Sequence, residues 1–156
     1  MTFLERSREI ETFRHWQGDM EASYLYSTGI AGERFFSELR DRGRIMGTSC
    51  AKCRRTVLPP RMYCEICFSE MKDWKDVGRE GKVDTFTVAH IDIDGNPLAD
   101  QVVYAFIRFP GTEGGLVHII SARPGKVRIG MRVRAKLKPK KERAGSILDI
   151  ECFKPI

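Results

Sequence analysis

"CAKCRRTVLPPRMYCEIC", Cys50 to Cys67, sets four cysteines as two C-x-x-C pairs separated by ten residues. Each thiolate pair can grip one edge of a tetrahedral ion, and the intervening residues need only form a short hairpin to bring the pairs together. Four thiolates fill that shell and leave no position for water or substrate, so such a site holds structure and does not catalyse. A segment of about 20 residues buries too little apolar surface to offset its conformational entropy, and metal binding supplies the folding energy. One structural zinc on Cys50, Cys53, Cys64 and Cys67 is therefore expected, with an iron-sulfur centre or rubredoxin-type iron left open by spacing alone. Two disulfides would need an oxidising compartment, and a thioredoxin-like redox pair would need a βαβ context that is missing here. Zinc knuckles usually carry Gly directly after the second Cys of a pair, where the backbone turns. Here those positions are Arg54 and Phe68, and Arg54 with Arg55 is expected to project charge from the knuckle tip.

Upstream of the cysteines, "GERFFSELRDRGR" puts Phe35, Phe36 and Leu39 on one face of a short helix that Gly43 can end. Further back, "FLERSREIETFRHWQ" spaces Phe3, Ile10, Phe13 and Trp16 by seven and three, an apolar helical stripe that nothing local obliges to pack on its own chain. The connector "GDMEASYLYSTGIAG" between them mixes turn residues with Tyr24, Leu25 and Tyr26. Downstream of Gly78 the pattern becomes β. "GKVDTFTVAHIDI", the turn "DGNP", "VVYAFIRF", the loop "PGTEGG" and "LVHIISA" read as three strands with their connections. "RVRAKLK" alternates strictly, with Val133, Ala135 and Leu137 to one side and Arg132, Arg134, Lys136 and Lys138 to the other. "ILDIECF" alternates too, sending Leu148, Ile150 and Cys152 one way and Asp149 and Glu151 the other. Five short strands without a helical period predict a small closed barrel of the OB type. The fold class is mainly β with N-terminal α: a helical segment over 1–44, a four-cysteine zinc ribbon over 45–76 and a five-stranded barrel over 77–156.

With 156 residues, the chain has room for one small barrel and one metal-stapled module. Its 42% apolar and 31% charged composition excludes a disordered chain. No run approaches the ~20 apolar residues of a membrane span, and the charged start lacks an apolar signal segment. A cytoplasmic protein is expected, and paired cysteines fit metal binding in a reducing compartment. The net charge is +6, but Arg123 to Arg143 holds ten Lys/Arg against one Glu, so that stretch carries +9 and the remainder −3. Such a run is ordinarily a solvated face, and at this density an anionic partner or ligand is an equal reading.

These parts, in this order, resemble a known family, the acyl-CoA-associated proteins with a rubredoxin-like zinc ribbon followed by an OB-fold. The residues that carry the resemblance are "FFSELRDRGRIMGTSCAKCRRTVLPPRMYCEIC", "WKDVGREG", "TFTVAH", "VRIGMRVRAKLKPK" and the terminal "CFKP", spanning roughly 30 to 156. The N-terminal "YLYSTGIAGERFF" is similar to thiolase-associated members, among them small subunits of thiolases acting on aromatic succinyl-CoA thioesters such as benzoylsuccinyl-CoA in anaerobic toluene breakdown. The resemblance implies a non-catalytic accessory subunit in a hetero-oligomer with a thiolase-like enzyme, sharing a coenzyme A thioester with it. Arg54, Arg55 and Arg61, with Phe35 and Phe36, are then candidates for coenzyme A or partner contact, since Arg offers a planar fork to phosphate oxygens. Phe13, Trp16, Tyr24 and Tyr26 are residue types that anchor interfaces, and they are the candidates for docking.

Other chemistry is thin. His15, His90 and His118 are the only histidines and none neighbours another; a lone His on a strand is more often a surface or satisfied core residue. Cys152 shares a strand face with Leu148 and Ile150, which favours a core residue over a nucleophile. There is no G-x-S-x-G, no phosphate-cradling Gly loop and no metal motif with an open position, so no catalytic residue is assigned. A nucleic-acid-binding module is the alternative, because ribbons and OB barrels both serve that purpose. Against it, the outer face of the basic strand has no interleaved aromatic. A free-standing acyl transferase or hydratase using His90, His118 or Cys152 is the third reading.

Overall fold

The computed structural model describes residues 26–92 and 94–156. Phe3, Ile10, Phe13, His15, Trp16, Tyr24 and Leu25 lie outside the described residues. Helix α1 (Gly29–Arg42) begins three residues before the stretch that announces it. It ends as the sequence predicts, with Gly43 in the left-handed region at φ 64, its N–H on the Leu39 carbonyl and that of Arg44 on Glu38. Phe35 and Leu39 are buried and Phe36 is half-buried, the two phenyl rings meeting edge to face at 5.3 Å.

The ribbon sheet follows as β1 (Met46–Cys50), β2 (Arg55–Leu58) and β3 (Asp73–Asp76), with β1 central and antiparallel to both neighbours. Thr48, fully buried on β1, explains how the proline-containing hairpin is held. Its hydroxyl donates to the Arg61 carbonyl and accepts from the Arg61 N–H, both at 2.9 Å.

Six strands remain: β4 (Glu80–Ile91), β5 (Pro97–Arg108), β6 (Glu113–Gly114), β7 (Leu116–Ile120), β8 (Arg132–Leu137) and β9 (Ile150–Pro155). Five of them close into a barrel in the order β4-β5-β7-β9-β8, parallel only between β7 and β9, which is the OB arrangement. On β8 the parity is as read: Val133 and Ala135 are buried, and Arg132, Arg134 and Lys136 face out. The sixth, β6, falls where the sequence predicts loop. It instead joins the ribbon sheet in parallel with β2, pairing Val57 with Glu113 and Leu58 with Gly114, and Gly115 N–H adds a 2.9 Å bond to the Leu58 carbonyl. Ribbon and barrel are thus stitched backbone to backbone. Met46, Leu58, Phe35 and Leu39 also enter the same apolar core as Val83, Ile107, Val133 and Phe153.

The expectation for "ILDIECF" fails in its first half. Ile147–Asp149 is a 3-10 turn, Leu148 is 63% exposed and Asp149 is buried. The reason is a cap. Asp149 accepts from the N–H groups of Ala144 (2.8 Å), Gly145 (2.8 Å) and Ser146 (3.3 Å), while the Ser146 hydroxyl accepts from Leu148 N–H. Burial opposes ionisation of Asp149, but the three N–H donors outweigh it and hold the carboxyl below its ordinary value. Asp149→Ala should therefore cost about 2–3 kcal/mol, since it strands buried donors. The sign in pH follows: with the folded pKa depressed, this stabilisation is complete above the unfolded value of about 3.9 and is lost as pH falls through the folded one. Urea titrations of wild type and variant between pH 7 and pH 3 should converge at the acid end. A gap that stays constant would show that the carboxylate charge contributes nothing.

Among the described residues, no helix is long and apolar enough to cross a membrane.

Candidate functional site

Cys50 closes β1, Cys53 sits in the turn before β2, and Cys64 and Cys67 occupy the second turn before β3. The four sulfurs lie within 4.8 Å of one another. Cys50 Sγ is 3.6 Å from Cys67 Sγ, and Cys64 Sγ is 3.9 Å from Cys53 Sγ. A tetrahedral ion with metal–sulfur bonds of about 2.3 Å needs an edge of about 3.8 Å, so the arrangement fits a structural zinc. No disulfide joins any of the cysteines, all of which are described. The Ser69 hydroxyl, then its N–H, stabilises the Cys67 thiolate and lowers that pKa to about 6. Hydrogen bonding to Cys67 pushes Cys53 up to about 12. Metal binding displaces the protons that the thiols carry.

Arg54 and Phe68 both adopt φ 55. The left-handed turn that glycine usually serves is therefore kept, with each larger side chain carrying a strain of about 1 kcal/mol. Phe68 is 80% exposed and lies in the same turn as exposed Ile66 and Tyr63. This apolar tip was missed in the sequence, where "YCEICF" reads as ligands alone; its only signal was the missing glycine.

Arg54 is exposed, but Arg55 does not project charge. Its side chain is mostly buried, with Nε on Glu113 Oε1 at 2.6 Å and Nη2 reaching both Glu113 and Glu65. Arg61 pairs with the same Glu65, and Arg61 first, then Arg55, holds that carboxyl below its usual range. Arg55 ties the second knuckle and β6 to β2, and Arg61 pairs with Glu65 beside it. Along β8, Arg132 and Arg134 share Glu80, and Lys136 pairs with Glu151. The outer face of that strand is basic but largely matched.

Phe35 and Phe36 do line a shared space. A groove of about 590 Å³ opens between α1, the Pro59–Pro60 turn and β7, floored by Phe35 and walled by Phe36, Val117 and Ile147. Val117 and Ile147 also border a second hollow of about 240 Å³ with Tyr104 and Leu148, so the apolar surface continues across the barrel. Val117 and Leu148 are well exposed and Tyr104 is 40% exposed. Tyr26 stands at the head of α1 beside a further hollow.

The histidines are not brought together. His90 is exposed and bonds Gln101 at 3.2 Å. His118 is buried 5.8 Å from the Phe153 ring and accepts from Ile119 N–H, and burial pushes its pKa down. Cys152 is buried.

Residues 37–72 match the family model for the ChsH2 rubredoxin-like zinc ribbon domain, and residues 74–138 that for the ChsH2 C-terminal OB-fold domain. A DUF35 domain-containing scaffold protein of Methanocaldococcus jannaschii is 29% identical over 132 residues, 79% of this chain and 89% of the relative. The crystal structure of a DUF35 family protein of unknown function from Sulfolobus solfataricus superposes with a TM-score of 0.64 at 32% identity, covering 82% and 85% of the two chains. The Ltp2-ChsH2(DUF35) aldolase superposes with a TM-score of 0.55 at 24% identity over 79% of this chain and 93% of that one, a likeness of fold.

Proposed function

Because the chain belongs to the DUF35 family, we propose that it is an accessory subunit that docks on a thiolase-type enzyme and helps to form or bridge its acyl-CoA site. The observation that carries this reading is the apolar groove at the junction of helix, ribbon and barrel, continued over Val117, Leu148 and Tyr104. A concave, mostly apolar groove formed where several elements meet is the kind of surface that takes a ligand or a partner's side chains. Two relatives support it in their names: one is a scaffold protein, and the other joins a DUF35 chain with Ltp2 in an aldolase. Four thiolates would fill the shell of the ion they hold, and the chemistry is assigned to the partner. The ribbon's role is to fix the Pro59–Pro60 wall and to present Arg54 and Phe68. Phe13, Trp16 and Tyr24, with Tyr26, are assigned to docking by residue type, and the coenzyme A thioester is shared between the subunits.

Nucleic-acid binding fits less well, because the outer face of β8, Arg132, Arg134 and Lys136, carries no aromatic on which a base could stack. The test is purification of the tagged chain from its native lysate at moderate salt after nuclease digestion. A thiolase-fold enzyme retained in near-stoichiometric amount, whose acyl-CoA turnover collapses when this subunit is removed, is the expected result. Recovery of nucleic-acid machinery alone would overturn it.

A further inference from the structure

Two arginines that enter no ion pair among the described residues converge on the end of α1. Arg79, from the linker between ribbon and barrel, donates from Nε to the Gly43 carbonyl at 3.0 Å. Arg143, from the β8–β9 connection, donates from Nε to the Lys138 carbonyl at 2.8 Å and from Nη1 to that of Arg40 at 3.4 Å. A Cβ built on Gly43 would lie 2.9 Å from Arg143 Nη1 and 2.9 Å from Arg79 Nη2. The two guanidinium groups therefore both border Gly43, beside the Leu137 methyl at 2.8 Å from the same point, with these nitrogens less than about 6 Å apart, and no carboxylate among the described residues pairs with either.

Like charges this close repel, and three backbone carbonyls offset only part of that cost. Two of those carbonyls, of Arg40 and Gly43, lie at the negative end of the α1 dipole, which disfavours an anion and which the two guanidinium charges offset. Both Nη groups of Arg79 remain without a hydrogen bond on an exposed residue, and Arg143 Nη2 is neither bonded nor buried. Lys138, Lys140 and Lys141 add charge from the same connection, and none of them is ion-paired among the described residues. A tetrahedral oxyanion has the span to accept from two forks at this separation, and Arg offers it paired donors.

We propose that Arg79 and Arg143 form a phosphate-binding site over Gly43, at the junction of helix, ribbon and barrel. The site rests on its own geometry and would stand if the partner assigned above were wrong. Its ligand is a phosphate group, supplied either as free phosphate or as the phosphomonoester of a coenzyme A thioester.

The test is an amide and guanidinium NMR titration of the full chain with inorganic phosphate, against chloride at constant ionic strength. Saturable shifts at Gly43, Arg44 and the Arg79 and Arg143 Nε–H signals are expected, and Arg79→Gln or Arg143→Gln should each weaken binding about tenfold or more. Because either substitution also removes a cap, Arg79→Lys is the second variant: it keeps the charge without the fork and should bind more weakly at unchanged zinc content. Coenzyme A and its 3′-dephospho form identify the source. Preference for coenzyme A through the same two arginines assigns the 3′-phosphate, and equal affinities with phosphate binding intact assign free phosphate. Phosphate shifts no larger than those with chloride, or binding unchanged in the glutamine variants, would leave Arg79 and Arg143 as helix caps only and overturn the site.

Discussion

Replacing Cys64 by Ser is expected to abolish metal binding and melt the ribbon while the barrel stays folded. The reasoning is one of core size. The ribbon's own buried cluster is Cys50, Val57, Cys64 and Met71, packed with Cys53 and Cys67, so four of its six members are the sulfurs themselves. Without the ion, that cluster keeps only Val57 and Met71, and with the barrel-facing Met46, Leu58 and Trp74 they would have to hold about thirty residues whose ordering costs roughly 1–2 kcal/mol each. The bound ion is worth about 10–16 kcal/mol to such a module, which is why its loss is decisive. The barrel core, built on Val83, Ile107, Val133, Ile150 and Phe153, contains no ligand and should survive, loosened where Met46 and Leu58 withdraw. Elemental mass spectrometry should find one equivalent of zinc in the wild type and none in the variant. Hydrogen exchange should show protection lost across 46–76 and kept across the barrel strands. A metal-free variant that still protects 46–76 would show that the ribbon folds on packing alone.

Legibility in the sequence followed the range of the interactions involved. The cysteine pairs, the helix stop at Gly43 and the alternation of Val133 and Ala135 are each set by residues a few positions apart, and all three were read correctly. The fate of Arg55 was not legible, because its neutralising partner Glu113 lies 58 residues downstream and meets it only when β6 joins the ribbon sheet. Asp149 was misread for a related reason. "ILDIECF" has the period of a strand, but the N–H groups of Ala144, Gly145 and Ser146 draw its carboxylate inward, and a periodicity argument sees side chains rather than backbone donors. The groove was half legible. Phe35 and Phe36 were singled out, whereas Pro59, Val117 and Ile147 become its walls only through the tertiary fold. Arg79 and Arg143 stand 64 positions apart, and only the end of α1 brings them together.

Gly114→Ala should destabilise the whole chain by about 4 kcal/mol, far more than Gly111→Ala three residues earlier. Both glycines sit at positive φ, 82 and 68, so each substitution carries the left-handed penalty of about 1–2 kcal/mol. The difference lies in what the new methyl meets. At Gly111 nothing stands within 4 Å, whereas at Gly114 the Cβ would fall 2.1 Å from the Leu58 carbonyl oxygen. That oxygen is backbone, so it cannot rotate away, and relief requires β6 to part from β2. Parting them breaks the Gly115–Leu58 hydrogen bond and the two-residue ladder, at about 1 kcal/mol per bond, and strains the Arg55–Glu113 pair beside them. For a chain whose total stability is expected to lie within about 5–15 kcal/mol, this is a large fraction. At about 2–4 °C per kcal/mol, the midpoint should fall by roughly 10 °C, against a few degrees for Gly111→Ala. The shape of the transition matters as much as its position. If β6 couples the modules, the variant should unfold in two steps, with the metal-held ribbon and the barrel separating in calorimetry, where the wild type unfolds in one. A single transition shifted no further than that of Gly111→Ala would mean that the shared apolar core alone joins ribbon to barrel and that the strand pairing is incidental.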